Sequence, residues 1–203
     1  MANIGLSQPY YAMYHNSNGV VSYTGLKKLG KAINVDLTVD NKEPQILYAN
    51  NGPAESITLF GGGTVTLGID ELALAVAADV LGMDAPTEQE PGVTFLADAQ
   101  APFIGQGFIG MKVYEGTIKW RLIVLFKTQF MLPDYSIDTK GETVNFQTPS
   151  LEAKIFRDDA TPSKWQYWND YDTEADAIAA LQAKLGGTQA AQGGNQAAQG
   201  GNP

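Results

Sequence analysis

Residues 107–131 read GFIGMKVYEGTIKWRLIVLFKTQFM, two apolar runs joined by Glu115–Gly116. In the second run Ile118, Trp120, Leu122, Val124 and Phe126 share one face of a period-two strand, and Lys119, Arg121, Ile123, Leu125 and Lys127 share the other. The second face has charged ends and an apolar middle, so both faces are covered at mid-strand. A Glu-Gly pair between two such runs predicts a hairpin, because Gly accepts the positive φ of a tight turn. This hairpin is the expected centre of a β-sheet domain, with the remaining strands added around it.

The chain has 203 residues, enough for one domain with a sizeable core and too few for two large ones. Hydrophobic residues make up 44% and charged residues 17%, a low charged fraction that suits a surface partly covered by other subunits. The chain holds no Cys, which excludes disulfides and thiolate metal sites, and a single His, which excludes a multi-His metal site within one chain. No apolar run approaches the roughly 18 residues of a membrane span. The opening MANIGLSQPYY lacks a basic, then apolar, leader pattern, so the sequence reads as soluble and without a secretion signal. Net charge is −9, and no Lys or Arg stands between Lys42 and Lys112. That distribution argues against phosphate neutralisation, which needs clustered cations.

Residues 1–17 read as a polar-aromatic arm with Tyr10, Tyr11 and Tyr14, followed by the turn cluster Asn16–Gly19. Strands are expected at 20–24, at 31–39 (Ile33, Val35, Leu37 and Val39 alternating with Asn34, Asp36 and Thr38), at 55–60 and at 64–69. Segment 41–53, with its two prolines and an Asn-Asn-Gly-Pro stop, is expected to be a long loop. Ile46, Leu47 and Tyr48 within it form an apolar patch that needs a partner surface. Gly61–Gly63 predicts a hinge or bulge. Asp70 is the expected cap of a helix over 70–81 ending at Gly82, and a short strand is expected at 93–96. Further strands are expected at 142–148 and 151–157, and an aromatic cluster is formed by Trp165, Tyr167, Trp168 and Tyr171. A second helix, 174–185, opens at Thr173 and carries the stripe Ile178, Leu181 and Leu185. Residues 186–203 repeat QAAQGGN in tandem without charge, and predict a flexible tail.

Gly105–Gly110 matches G-x-G-x-x-G, yet a strand follows it where a dinucleotide turn needs a helix. No Lys-Ser or Lys-Thr follows Gly61–Gly63, so the phosphate-loop reading fails. Asp158–Asp159 and Asp170/Asp172 read as turn and cap residues rather than acid–base pairs. Trp165, Tyr167 and Trp168 suit either a sugar-stacking platform or the closing of a core. No motif supports an enzyme, a cofactor or a metal. The open readings are a self-assembling structural protein, a carbohydrate- or surface-binding β module, and an enzyme without a recognisable motif.

In order and spacing, NIGLSQPYYA, LYANNGPAES, TVTLGIDEL, APFIGQGFIG, KGETVNFQTP, LEAKIFRDD and DTEADAIAALQAKL resemble the major tail proteins of siphophages that infect Gram-positive bacteria, the tail-tube subunits. The resemblance covers residues 1–185, and the QAAQGGN tail departs from it. It implies a mainly β, sandwich- or barrel-like subunit over 18–185 that forms hexameric rings stacked into a tube. The genome passes through that tube unbound, and tape-measure, terminator and distal tail proteins meet its ends. The implied place is the virion tail, assembled in the host cytoplasm, with no membrane. On this reading loop 41–53 reaches the next ring, and Tyr10, Tyr11, Tyr14, Ile46, Leu47 and Tyr48 are the expected contacts. The polar strand faces would line the lumen, with Asp36, Asp40, Glu55 and Glu142 as its expected acids.

Overall fold

The computed structural model describes residues 2–41, 45–49, 52–57, 59–133 and 148–186, and they are mainly β. The elements in chain order are β1 (Ala2–Leu6), β2 (Tyr10–Ser17), β3 (Val20–Lys28), β4 (Ala32–Asn41), β5 (Gln45–Ala49), β6 (Gly52–Ile57), β7 (Phe60–Ile69), α1 (Leu74–Leu81), β8 (Ile104–Tyr114), β9 (Thr117–Phe130), β10 (Ser150–Phe156), β11 (Gln166–Tyr171) and α2 (Glu174–Leu185). Nine strands form one antiparallel sheet in the order β3-β2-β8-β9-β10-β7-β4, with β1 also on β8 and β11 also on β9. The sheet curls until β4 lies against β1.

The β8–β9 hairpin is the spine, as its sequence predicts. Tyr114 pairs with Thr117 across a two-residue turn in which Glu115 has φ 48° and Gly116 φ 77°. Two positive φ values make the turn form whose twist matches the flanking strands. The left-handed demand thus falls on Glu115 as well as on the glycine.

Both faces of the hairpin are buried, in two separate cores. Ile104, Phe108 and Leu125 point into the first, with Tyr11, Val65, Leu67, Ile69, Leu151, Ile155 and helix α1. Ile109, Leu122, Val124 and Phe126 point into the second, with Tyr23 and Ala177, Leu181 and Leu185 of α2. Along β9 the alternation then changes phase. Gln106 pairs with Leu125 but Ile104 pairs with Thr128, so β9 carries one extra residue there. This bulge sends Thr128 and Phe130 to the first core, although Phe126 belongs to the second.

Glycines in β8 seat α2. A Cβ on Gly107 would come within 2.1 Å of Leu181 Cδ1, and one on Gly105 within 2.7 Å of both Leu185 and Tyr23. The first two glycines of the G-x-G-x-x-G match therefore serve close helix-on-strand packing, whereas a Cβ on Gly110 would meet only Gly5 O, at 3.7 Å. Helix α2 itself has the predicted bounds, and the Thr173 hydroxyl accepts the Asp176 N–H at 3.1 Å.

Several expectations are corrected. Residues 1–17 are no free arm, since β1 and β2 pair with β8 inside the sheet. The stretch expected as loop 41–53 contains β5, which pairs with β6 in a separate two-stranded hairpin that also takes in much of the strand expected at 55–60. Helix α1 starts at Leu74, four residues after Asp70. The Asp70 carboxylate is taken by the Lys31 N–H at 3.0 Å and the Glu71 N–H at 2.8 Å, and no side chain caps α1. Residues 93–96 form no strand. Strand 20–24 is longer than expected; the bulge expected at Gly61–Gly63 is present, with Gly61 the extra residue opposite Asp40–Asn41, and β7 continues through it. Most of the strand expected at 142–148, and the repeat beyond 186, lie outside the described residues.

Candidate functional site

The middle of the sheet's β4–β7–β10 wing is ruled into rows by its register. The inward rows are Val35–Leu67–Leu151 and Leu37–Val65–Ala153, and they close the first core. The outward rows are Asn34–Gly68–Ser150, Asp36–Thr66–Glu152 and Thr38–Thr64–Lys154, with Asp40 beyond them opposite Gly62. Strict alternation on three adjacent strands therefore builds one continuous face of carboxylates, hydroxyls and amides.

That face holds three carboxylates, of Asp36, Asp40 and Glu152, and one ammonium, of Lys154. Lys154 Nζ reaches Glu152 Oε1 at 3.2 Å and donates to Thr64 Oγ1 at 2.9 Å, so it is paired within the face, and Asp36 and Asp40 leave these four charged groups net negative. The Asn34 amide donates to Asp36 Oδ2 at 2.9 Å and lies over Gly68, where a Cβ would sit 2.1 Å from its oxygen. The sequence-expected pair Asp36 and Asp40 is thus brought together, and Glu152 joins it. Glu55 lies elsewhere, on β6 opposite Leu47, while Glu142 is outside the described residues. Ile46, Leu47 and Tyr48 lie on β5.

The three tyrosines expected as subunit contacts have different fates. Tyr11 is fully buried within its own chain, which leaves no ring surface for a neighbour. Its hydroxyl donates to Asp79 Oδ2 at 2.8 Å, an oxygen that also meets Lys27 Nζ at 2.6 Å. Burial, with the Asp79 bond adding to it, pushes the Tyr11 phenol above its ordinary range. Tyr14 is half-buried and donates to Asp159 Oδ2 at 2.7 Å. Burial first and that bond second push its phenol up to about 12. Tyr10 packs, half-buried, against the second core.

A charged cluster that sequence reading assigned to turns and caps ends the first face of the hairpin. Asp170 pairs with Arg121 through two bonds, Nε to Oδ1 at 2.8 Å and Nη2 to Oδ2 at 3.0 Å. It also meets Lys112, which is 4% exposed. Lys119 pairs with Asp172 beside it. The Arg121 bond above all, with Lys112 adding to it, holds the Asp170 carboxyl down to about 2. The Arg121 guanidinium also lies 4.8 Å from the Trp168 ring centre. A cleft of about 360 Å³ opens next to it, lined by Leu6, Ile33, Val35, Phe108 and Arg121 among others. Cross-strand register is the signal that joins these groups, since Asp170 pairs with Arg121 and Lys112 with Lys119.

Asp158 and Asp159 have structural ties. Asp158 accepts the Lys164 N–H at 2.5 Å, and Asp159 accepts from Tyr14 and, at 2.7 Å, from Lys127. His15 shares a 2.7 Å hydrogen bond with Thr24 across β2 and β3. Among the described residues no group of three acidic or His side chains is placed to hold a metal ion. No protein-family model and no curated protein matches the chain.

Proposed function

We propose that this chain is a tail-tube subunit, a structural virion protein that assembles into stacked hexameric rings around a channel for the phage genome. The observation that carries the reading is the outward face of β4, β7 and β10, with Asp36, Asp40 and Glu152 against one internally paired lysine. Duplex DNA carries one negative charge per about 1.7 Å of axis. A cation-lined channel would hold that charge through many weak contacts and stall it. A face on which carboxylates outnumber the one lysine, and whose other groups are neutral, holds phosphates only weakly, and at physiological salt its field fades within about 8 Å. The wall needs only to be non-attractive at close range. The collinear resemblance over 1–185 supports the same reading, and so does the separate β5–β6 hairpin, whose Ile46, Leu47 and Tyr48 suit contact with a neighbouring ring. No catalytic role is assigned.

Electron microscopy of the concentrated protein tests this. Tubes or stacked rings with Asp36, Asp40 and Glu152 on the inner wall are expected. A lumen ringed by Lys and Arg, with these acids outside, would sink the reading. One observation favours a second function, binding of a carbohydrate surface: Trp168 is 62% exposed on β11 and has a guanidinium against its ring. Lasting monomers with glycan affinity that Trp168→Ala abolishes would favour it.

A further inference from the structure

Two surfaces on opposite sides of the spine complement each other. One is a groove of about 540 Å³ between β3, β11 and α2, with Val21, Tyr23, Phe126 and Tyr167 among its walls. Lys164 and Lys184 stand at its rim, their ammonium groups 5.9 Å and 4.3 Å from the ring centres of Phe126 and Tyr167. Neither lysine enters an ion pair among the described residues. Asp158 also lines the groove, but it is buried, and its carboxylate already accepts the Lys164 N–H. Val20 stands at the mouth, 69% exposed.

The other surface is segment 84–98. Asp84, Glu88, Glu90 and Asp98 are exposed there and unpaired among the described residues. Phe95 and Leu96, 48% and 46% exposed, add apolar area beside them. The segment is shaped in advance: the Thr87 N–H donates to Glu90 O at 2.8 Å and the Glu90 N–H to Thr87 Oγ1 at 3.0 Å. That turn presents Glu88 and Glu90 at small ordering cost.

Within one chain the two surfaces point apart. Val93 anchors the segment on the first core, whereas the groove walls belong to the second, across β8 and β9. We propose that segment 84–98 of one copy docks in the lysine-rimmed groove of the next, Glu88 and Glu90 meeting Lys164 and Lys184. The proposal rests on the self-assembly reading and names the surfaces it uses. Joining two different patches gives a head-to-tail contact, which closes into a ring or runs on as a filament. Opposite charges at the rim steer the approach and fix the register.

The test compares the full chain with Glu88→Lys/Glu90→Lys, with Lys164→Glu/Lys184→Glu, and with the quadruple variant carrying both pairs. These four side chains are exposed, so circular dichroism and thermal unfolding should match wild type. Sedimentation velocity at low salt gives the concentration at which oligomers form. Each double variant should need a roughly tenfold or higher concentration, because like charges then face each other. The quadruple variant, and an equimolar mixture of the two doubles, should recover wild-type assembly. Either double assembling like wild type, or a quadruple that fails to recover, overturns the assignment. Wild-type tubes with unaffected doubles would remove these two surfaces and leave the tube reading standing. A wild-type chain that remains monomeric at every concentration removes both.

Discussion

The two faces of the β8–β9 hairpin are covered by different means. On one, the chain curls its own sheet over the core and adds α1, a helix of eight residues whose N-cap Ala73 offers no side-chain acceptor. On the other, a single twelve-residue helix does most of the covering, capped by Thr173, with Glu174 and Asp176 in its first turn and Lys184 in its last. The first face is built from distant strand pairings and tolerates a poorly specified helix. The second depends on one helix, α2, and local rules are obeyed there at each step. The first face also contains a misfit. Gln106 is fully buried, and neither polar atom of its amide has a partner among the described residues.

The largest test of that contrast is Leu181→Ala. Its side chain is fully buried against Gly107, and the change should cost about 2–5 kcal/mol by chemical denaturation. Gly107→Ala alone should also destabilise, by about 1–3 kcal/mol, because the new methyl meets Leu181. The double variant should cost less than the sum of the two, since the methyl enters the space vacated by the leucine. Strict additivity would show that α2 does not rest on that glycine.

Gln106→Leu should act in the opposite sense on the first face. Removing a buried amide without partners should gain about 1–2 kcal/mol and raise Tm by roughly 2–4 °C per kcal/mol. A loss of stability would mean that the amide is satisfied in solution.

The helix caps give a smaller, paired test. Thr173→Ala should cost about 1 kcal/mol, whereas Ala73→Asp should stabilise by a few tenths to about 1 kcal/mol, because α1 has an empty cap position to fill. Equal responses to the two changes would remove the contrast between the helices.

The smallest effect is the pH dependence of the ion cluster. Asp170 is held down to about 2 when folded, against about 3.9 unfolded. A depressed carboxyl contributes stability that is present above about pH 4 and is lost as pH falls toward about 2. Asp170→Asn should therefore lower Tm at pH 5 and converge on wild type near pH 2. A difference that stays constant across that range would show that Asp170 acts through packing rather than charge.

The same contrast explains what could be read from the chain. The β8–β9 hairpin, the 32–41 strand and α2 were legible because burial, turn chemistry and capping agree locally. Asp36 and Asp40 fell on one face by alternation alone. Tyr11 was misplaced because its burial comes from Asp79 and the first core, far away in sequence. Glu152 and the Asp170 cluster needed the cross-strand register of β7 with β10 and of β9 with β11, which no local pattern encodes. The start of α1 was misread because Asp70 spends its carboxylate on Lys31 in a neighbouring segment. The β5 strand was hidden by the prolines and the Asn-Asn-Gly stop that flank it.

The extra residue in β9 between Leu125 and Thr128 has a consequence for how this gene can change length. Elsewhere in the strand, losing one codon would turn the following side chains to the wrong core. At the bulge, losing Lys127 would restore plain two-residue spacing opposite Ile104 and Gln106 and leave Thr128 and Phe130 facing inward. The Lys127 contacts with Asp159, Tyr14 and Phe103, and its backbone pairing with Phe156 at the end of β10, would go with it. Within β9, single-residue deletions should therefore be tolerated at this one joint, while either end of the strand keeps its length.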